Sequence, residues 1–329
     1  MSEVDWKRRP EGGGRAAIRL IAGIARHGGR GIARLCLYPI TVYFLLMRGA
    51  ERRASRAFLS RVHGRRASVA EVARHIHTFA ATILDRVFML GGRMQLFDIH
   101  HFGLEQLHAA MDQGRGVLVF GSHLGSFDAL RALGRQRRDI QLRVLLDKAH
   151  NAAITEVLAE LDPTLAAGII DAGQDGPSIV LAIKQALDEG ALVALLVDRA
   201  RPGEPSLAAP LLGAPAPLPT APWLMAAVLK VPVVLAFGLY RGGNRYDLVF
   251  EAFDDAIDIP RRERAGALAL LVQRYAARLE LRLRSAPYNW FNFYDFWHAD
   301  DCASPAPMDP PRVADAGRQR GPAGIGERD

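Results

Sequence analysis

Between residues 115 and 240 the sequence keeps switching between two hydrophobic patterns. Short apolar runs, GVLVFGS (116–122), IQLRVLL (140–146), GIID (168–171), ALVALLV (191–197) and VPVVLAFGLY (231–240), are one of them. Stretches with apolar residues at helical spacing, 125–136, 150–161, 177–189 and 220–230, are the other. An unbroken apolar run bounded by Gly suits a strand covered on both faces, and such strands alternating with helices form a parallel sheet with right-handed crossovers. The pattern predicts an α/β fold with a mostly parallel central sheet flanked by helices. The turn RGGN (241–244) then leads to YDLVFEAF (246–253), read as an antiparallel partner of the preceding strand. Amphipathic helices are predicted over 67–91 and 261–284, and a short one in GLEQLHAAMDQGRG (103–116), closed by Gly114.

In such folds, sites collect at the C-terminal ends of the strands. His123, Asp147, Lys148, Asp171, Asp198 and Arg199 all follow predicted strands. His123 and Asp128 stand in FGSHLGSFDALR (120–131). Ser126 suits a helix N-cap, which puts Asp128 in a first turn, where the helix dipole alone stabilises a carboxylate. A tight Gly-containing loop also lets that carboxylate face the imidazole. It would fix the tautomer and leave the other ring nitrogen to act as a general base. The stretch GSHLG has the outline of a nucleophile elbow with His in the central seat, which argues against a serine hydrolase. Among the motifs, none has metal-ligand spacing: His75 and His77 do not share a helix face, and His100 and His101 are adjacent. EGGGR (11–15) follows no strand, so a nucleotide fingerprint is not supported.

The net charge of +7 favours an anionic partner, and the two cysteines, Cys36 and Cys302, have neither disulfide nor metal spacing. The basic residues are not interleaved with aromatics, which argues against nucleic acid. Arg131, Arg135, Arg137 and Arg138 group just after the His/Asp stretch. They suit an acidic carrier protein or lipid headgroups, and equally a solvated helix end. The N-terminus is rich in Arg and Gly and is followed by LCLYPITVYFLLM (35–47). Thirteen residues fall short of the ~20 a spanning helix needs. Basic residues ahead of an apolar patch suit a segment lying in the membrane interface on the cytoplasmic side. The chain divides into a basic N-terminus (1–34), an interface segment (35–66), a folded domain (67–297) and a tail rich in Pro, Gly, Ala and charge (298–329), predicted to be disordered.

His-x-x-x-x-Asp after a buried strand resembles the signature of the glycerolipid acyltransferase superfamily. GLEQLHAAMDQGRGVLVFGSHLGSFD (103–128), ALLVDRARPG (194–203) and LLGAPAPLPTAPWLMAAVLKVPVVLAF (211–237) resemble, in order, segments of the bacterial late lipid A acyltransferases. The chain departs from that family in reading GSFD where GNWE is usual, and in carrying Lys148 where Arg is common. The resemblance implies a membrane-associated enzyme at the cytoplasmic face of the inner membrane. It would move a fatty or polyene acyl group from an acyl carrier protein, or from coenzyme A, to a hydroxyl of a lipid, with no cofactor beyond the thioester. It implies His123 as base supported by Asp128, with Lys148, Asp198, Arg199, Arg131 and Arg135 as substrate-binding candidates. The competing reading is a binding module that recruits carrier protein without turnover. PYNWFNFYDFW (287–297) reads as an aromatic cover over an acyl groove, a membrane-interface belt, or core packing of the C-terminus.

Overall fold

The computed structural model describes residues 29–131, 141–148, 166–200 and 203–297. Its centre is a seven-stranded sheet in the order β1-β9-β8-β2-β5-β3-β4. The strands are β1 (Asp98–Phe102), β2 (Val117–Gly121), β3 (Leu142–Leu146), β4 (Ile169–Asp171), β5 (Leu192–Leu196), β8 (Val233–Gly242) and β9 (Arg245–Asp254). Every pairing is parallel except the β8–β9 hairpin. Two further strands, β6 (Ser206–Leu211) and β7 (Ala214–Pro219), form a separate antiparallel ribbon. Its second strand falls in the Pro-rich LLGAPAPLP stretch (211–219), where three prolines in β7 hide any strand signal. Pairing with only one neighbour is what makes proline tolerable there.

The side chains of β2 divide by strand parity. Leu118 and Phe120 enter a core with Trp223, Phe237, Tyr275 and Trp290, whereas Val117 and Val119 enter another with Leu84, Phe88, Ala236 and Tyr246. Both faces are buried, which is why the strand reads as an unbroken apolar run.

The helices are α1 (Leu37–Met47), α2 (Gly49–His63), α3 (Val69–Leu90), α4 (Leu104–Met111), α5 (Gly176–Asp188), α6 (Ala221–Leu229) and α7 (Arg264–Ser285). In α3, Ser68 and Glu71 form a reciprocal capping box. The helix expected over 125–136 is, in its described part, a 3₁₀ turn over Phe127–Arg131; the helix expected over 150–161 lies outside the described residues. Helical structure also precedes α1, giving a run of 19 residues, Gly29–Met47. Among the described residues this is the one helix long and apolar enough to cross a membrane. The interface reading of 35–47 alone therefore understated the helix's length.

Candidate active site

The β2–β5 pairing sets the site. Gly121 lies opposite Leu196, and the Val197 amide donates to the Gly121 carbonyl at 3.0 Å. Two residues further along each strand come His123 and Asp198, so the same register brings them level. His123 Nδ1 lies 2.7 Å from Asp198 Oδ1, and the His123 amide donates to the same oxygen at 3.1 Å. A carboxylate can only accept here, so Nδ1 carries the proton and Nε2 keeps its lone pair.

Asp198 is fully buried, and its other oxygen is also engaged. Trp290 Nε1 donates to Oδ2 at 3.0 Å, and Asn292 Nδ2 lies 3.4 Å from it. Burial alone would raise its pKa. The charge and hydrogen bond of His123, the Arg199 guanidinium and the indole outweigh that and hold the carboxyl well below the usual range. The imidazole keeps 30% of its side-chain surface exposed. Burial pushes its pKa down from the ordinary 6.5; Arg199 and Arg86 push the same way, against Asp198. The ring is therefore neutral near pH 7, with Nε2 free to take a proton.

The C-terminal aromatic segment holds this loop in place. The Phe291 amide donates to the His123 carbonyl at 2.9 Å, and the Gly125 amide to the Asn289 carbonyl at 2.8 Å. Asn289 in turn clips to β8 through both backbone groups of Tyr240, at 2.7 and 3.1 Å. The Trp290 carbonyl accepts from His75 Nε2 at 2.9 Å, while His75 Nδ1 meets Ser55 Oγ at 2.8 Å. Burial drives the His75 pKa down to about 4, only partly opposed by that carbonyl, so His75 is a neutral structural residue. Gly125 is required by geometry. It has φ +77°, and a Cβ there would collide with the carbonyl of Gly238 on β8.

Several expectations about individual residues change. Asp128 does not face the imidazole: its Oδ2 accepts from Arg86 Nε of α3 at 2.5 Å, and Asp198 holds the ring instead. The physical reason is that the loop is carried over β8 by Gly125 and Ser126, whose amide donates to the Gly238 carbonyl at 2.7 Å. Asp198, expected to touch substrate, has no exposed surface with which to do so. The amides of Gly125 and Ser126 are spent on Asn289 and Gly238. Arg199 donates from Nε to Asn292 Oδ1 at 2.5 Å and from Nη2 to the Phe291 carbonyl at 3.0 Å, and it lies over the Tyr294 ring. Lys148 lies two residues past β3, where its amide donates to Asp171 Oδ1 at 3.2 Å. Arg131 ends the 3₁₀ turn, and Arg135, Arg137 and Arg138 lie outside the described residues.

Sequence reasoning missed Arg86, Asn289, Trp290 and Asn292. A polar pair inside PYNWFNFYDFW was a signal that this segment does more than pack. Arg86 carried none, being one cation on the edge of an amphipathic helix.

Among the described residues no cluster of three or more His, Cys, Asp or Glu could hold a metal. A search of curated proteins gives no match. A family model described as bacterial lipid A biosynthesis acyltransferase matches residues 66–298. The match takes in both members of the His123/Asp198 pair, the 3₁₀ turn and the aromatic segment that pins them. It covers well over half of the chain, which therefore belongs to the bacterial lipid A biosynthesis acyltransferase family.

Proposed function

We propose that this protein transfers an acyl group from a thioester to a hydroxyl of a lipid, with His123 as general base and Asp198 as the carboxylate that orients it. The observation that carries this is the 2.7 Å contact between Nδ1 and a fully buried carboxylate. It leaves Nε2 unprotonated on a ring that is neutral and still partly exposed. Nε2 takes the proton of the acceptor hydroxyl as its oxygen attacks the thioester carbonyl. Asp198 stabilises the imidazolium that forms, and the same proton then passes to the leaving thiolate. No cofactor enters this scheme. The donor we favour is an acyl carrier protein, because such proteins are acidic and this chain is basic.

We place the reaction at the cytoplasmic face of the inner membrane. Arg30 and Arg34 of the N-terminal helical run meet buried Asp85 of α3 at 2.7 and 3.8 Å. Further along, Tyr38 packs on the His77 ring and Thr41 Oγ1 lies 3.2 Å from His77 Nδ1. The helix thus lies antiparallel along α3 for three turns. Its other face shows Ile32, Leu35, Val42, Tyr43, Leu46 and Met47 half or more exposed. A helix strapped lengthwise to the domain, with its free face apolar, suits burial in the interface better than a bilayer crossing.

The test is transfer by the purified full-length protein. His123→Ala should abolish turnover, and Asp198→Asn should lower kcat by about 10²–10⁴-fold, the scale of a lost base and of a lost tautomer. A His123→Ala protein that is folded and near wild-type in rate would end this reading.

A further inference from the structure

Beside the imidazole stands a second acid–base pair whose chemistry differs from the first. Arg86 of α3 gives its Nε to Asp128 Oδ2 at 2.5 Å. A guanidinium has five N–H donors in a planar fork. Among the described residues Arg86 forms no other hydrogen bond, and 28% of its side chain is exposed. Among the described residues the four N–H of its two Nη groups thus have no acceptor, and its charge reaches His123. Of the other candidate cations among the described residues, Arg199 has donors committed to Asn292 and Phe291, and Lys148 follows β3, which β5 separates from β2. A partly exposed ion pair with a single hydrogen bond adds little to stability, so stability alone gives little reason to place it there. Held by Nε, an arginine points both Nη groups the same way, the arrangement that meets two oxygens of a phosphate.

We propose that Arg86 is the phosphate-binding residue of this site and that Asp128 is its positioning residue, so that the aspartate of the His-x-x-x-x-Asp pattern holds a substrate-binding cation. The phosphate belongs either to the pantetheine arm of the acyl donor or to the headgroup of the lipid acceptor. This identification of the ligand rests on the acyl-transfer reading, whereas the site itself rests on Arg86 and Asp128.

Equilibrium binding to the full-length protein in detergent separates the two. The probes are 4′-phosphopantetheine against pantetheine, and phosphatidic acid against diacylglycerol in mixed micelles. Arg86→Gln should weaken binding of one phosphate probe by about 10–100-fold, the scale of a charge-assisted contact, and leave its phosphate-free counterpart unchanged. Asp128→Asn should weaken the same probe by less, and Arg86→Lys should restore part of the loss, which a merely structural ion pair would not do. The probe that responds identifies the source. If neither phosphate probe binds the wild-type protein, or if Arg86→Gln weakens the phosphate-bearing and phosphate-free probes alike, the proposal is overturned. No turnover is needed, so failure of acyl transfer in the wild-type protein would strike the reaction while leaving this measurement to decide the phosphate site.

Discussion

In the proposed reaction His123 is the base, and burial together with the charges of Arg199, Asp198 and Arg86 shapes its pH dependence. Turnover requires the unprotonated ring, so kcat/KM should rise with pH through the His123 pKa, below the ordinary 6.5. Burial is the largest cause of that depression and Arg199 the next, so removing the Arg199 charge should move the acid limb to higher pH. Asp198→Asn should act oppositely on the limb, since it removes what raises the pKa, while also lowering the plateau. A pH profile of Arg199→Gln that overlays the wild type would show that this cation does not act on the ring. At this scale the sequence was only half legible. His123 is legible through the His-x-x-x-x-Asp pattern just past an apolar strand, since an imidazole there is by itself equally well explained as a hydrogen-bonded, partly buried histidine. Its partner was misassigned because closeness along the chain favoured Asp128, whereas parallel pairing aligns residues 75 positions apart. Asp198 had been noticed at its strand end, and the register linking β2 to β5 was the missing fact.

The element that makes the pair usable is the loop from Gly121 to Ser126, passing over β8. Gly125 allows that passage in two ways: its φ of +77° and its contact with Gly238. Gly213, in the β6–β7 turn, has φ +79° but open space where a Cβ would stand. The two glycines therefore separate backbone strain from collision. Gly213→Ala should cost roughly the 1–2 kcal/mol of a left-handed L-residue. Gly125→Ala should cost more than that in urea unfolding, and should lower activity as the imidazole shifts. Equal losses at the two positions would mean that the approach to β8 is not tight. Strands and helices at this level were readable because period and burial agree: β2, β5 and the β8–β9 hairpin fell where apolar runs and turn residues put them. The β6–β7 ribbon was not, since proline masks a strand that needs only one partner. The aromatic segment 287–297 reads as a cover, an interface belt or core packing; Trp290 is fully buried, as core packing requires, and also donates a hydrogen bond to Asp198.

For the whole molecule, the proposed membrane-interface reading turns on which way the site faces relative to the N-terminal helix. The N-terminal helix is held to the domain by charge as well as by packing. Asp85, fully buried in α3, receives Arg30 and also the Tyr246 hydroxyl at 2.9 Å. Because the strap runs along the helix that also carries Arg86, its exposed apolar face and the candidate site share one supporting helix. In the proposed interfacial reading, attachment to lipid would then orient the site as well as concentrate the protein. Two substitutions test this separately. Replacing Leu35 and Leu46, each 66% exposed, with Ser removes apolar surface that touches no core. It should weaken partition onto anionic vesicles by about 2–3 kcal/mol, on the order of 50-fold, without changing thermal stability. Asp85→Asn should leave the apolar face intact and free the strap. Vesicle binding should survive, whereas turnover on a membrane-embedded acceptor should fall more than turnover on a detergent-dispersed one. If the Leu pair is without effect on partition, the lipid contact lies on another face. If Asp85→Asn lowers both rates equally, the ion pair serves the fold and the strap does not set the orientation of the site.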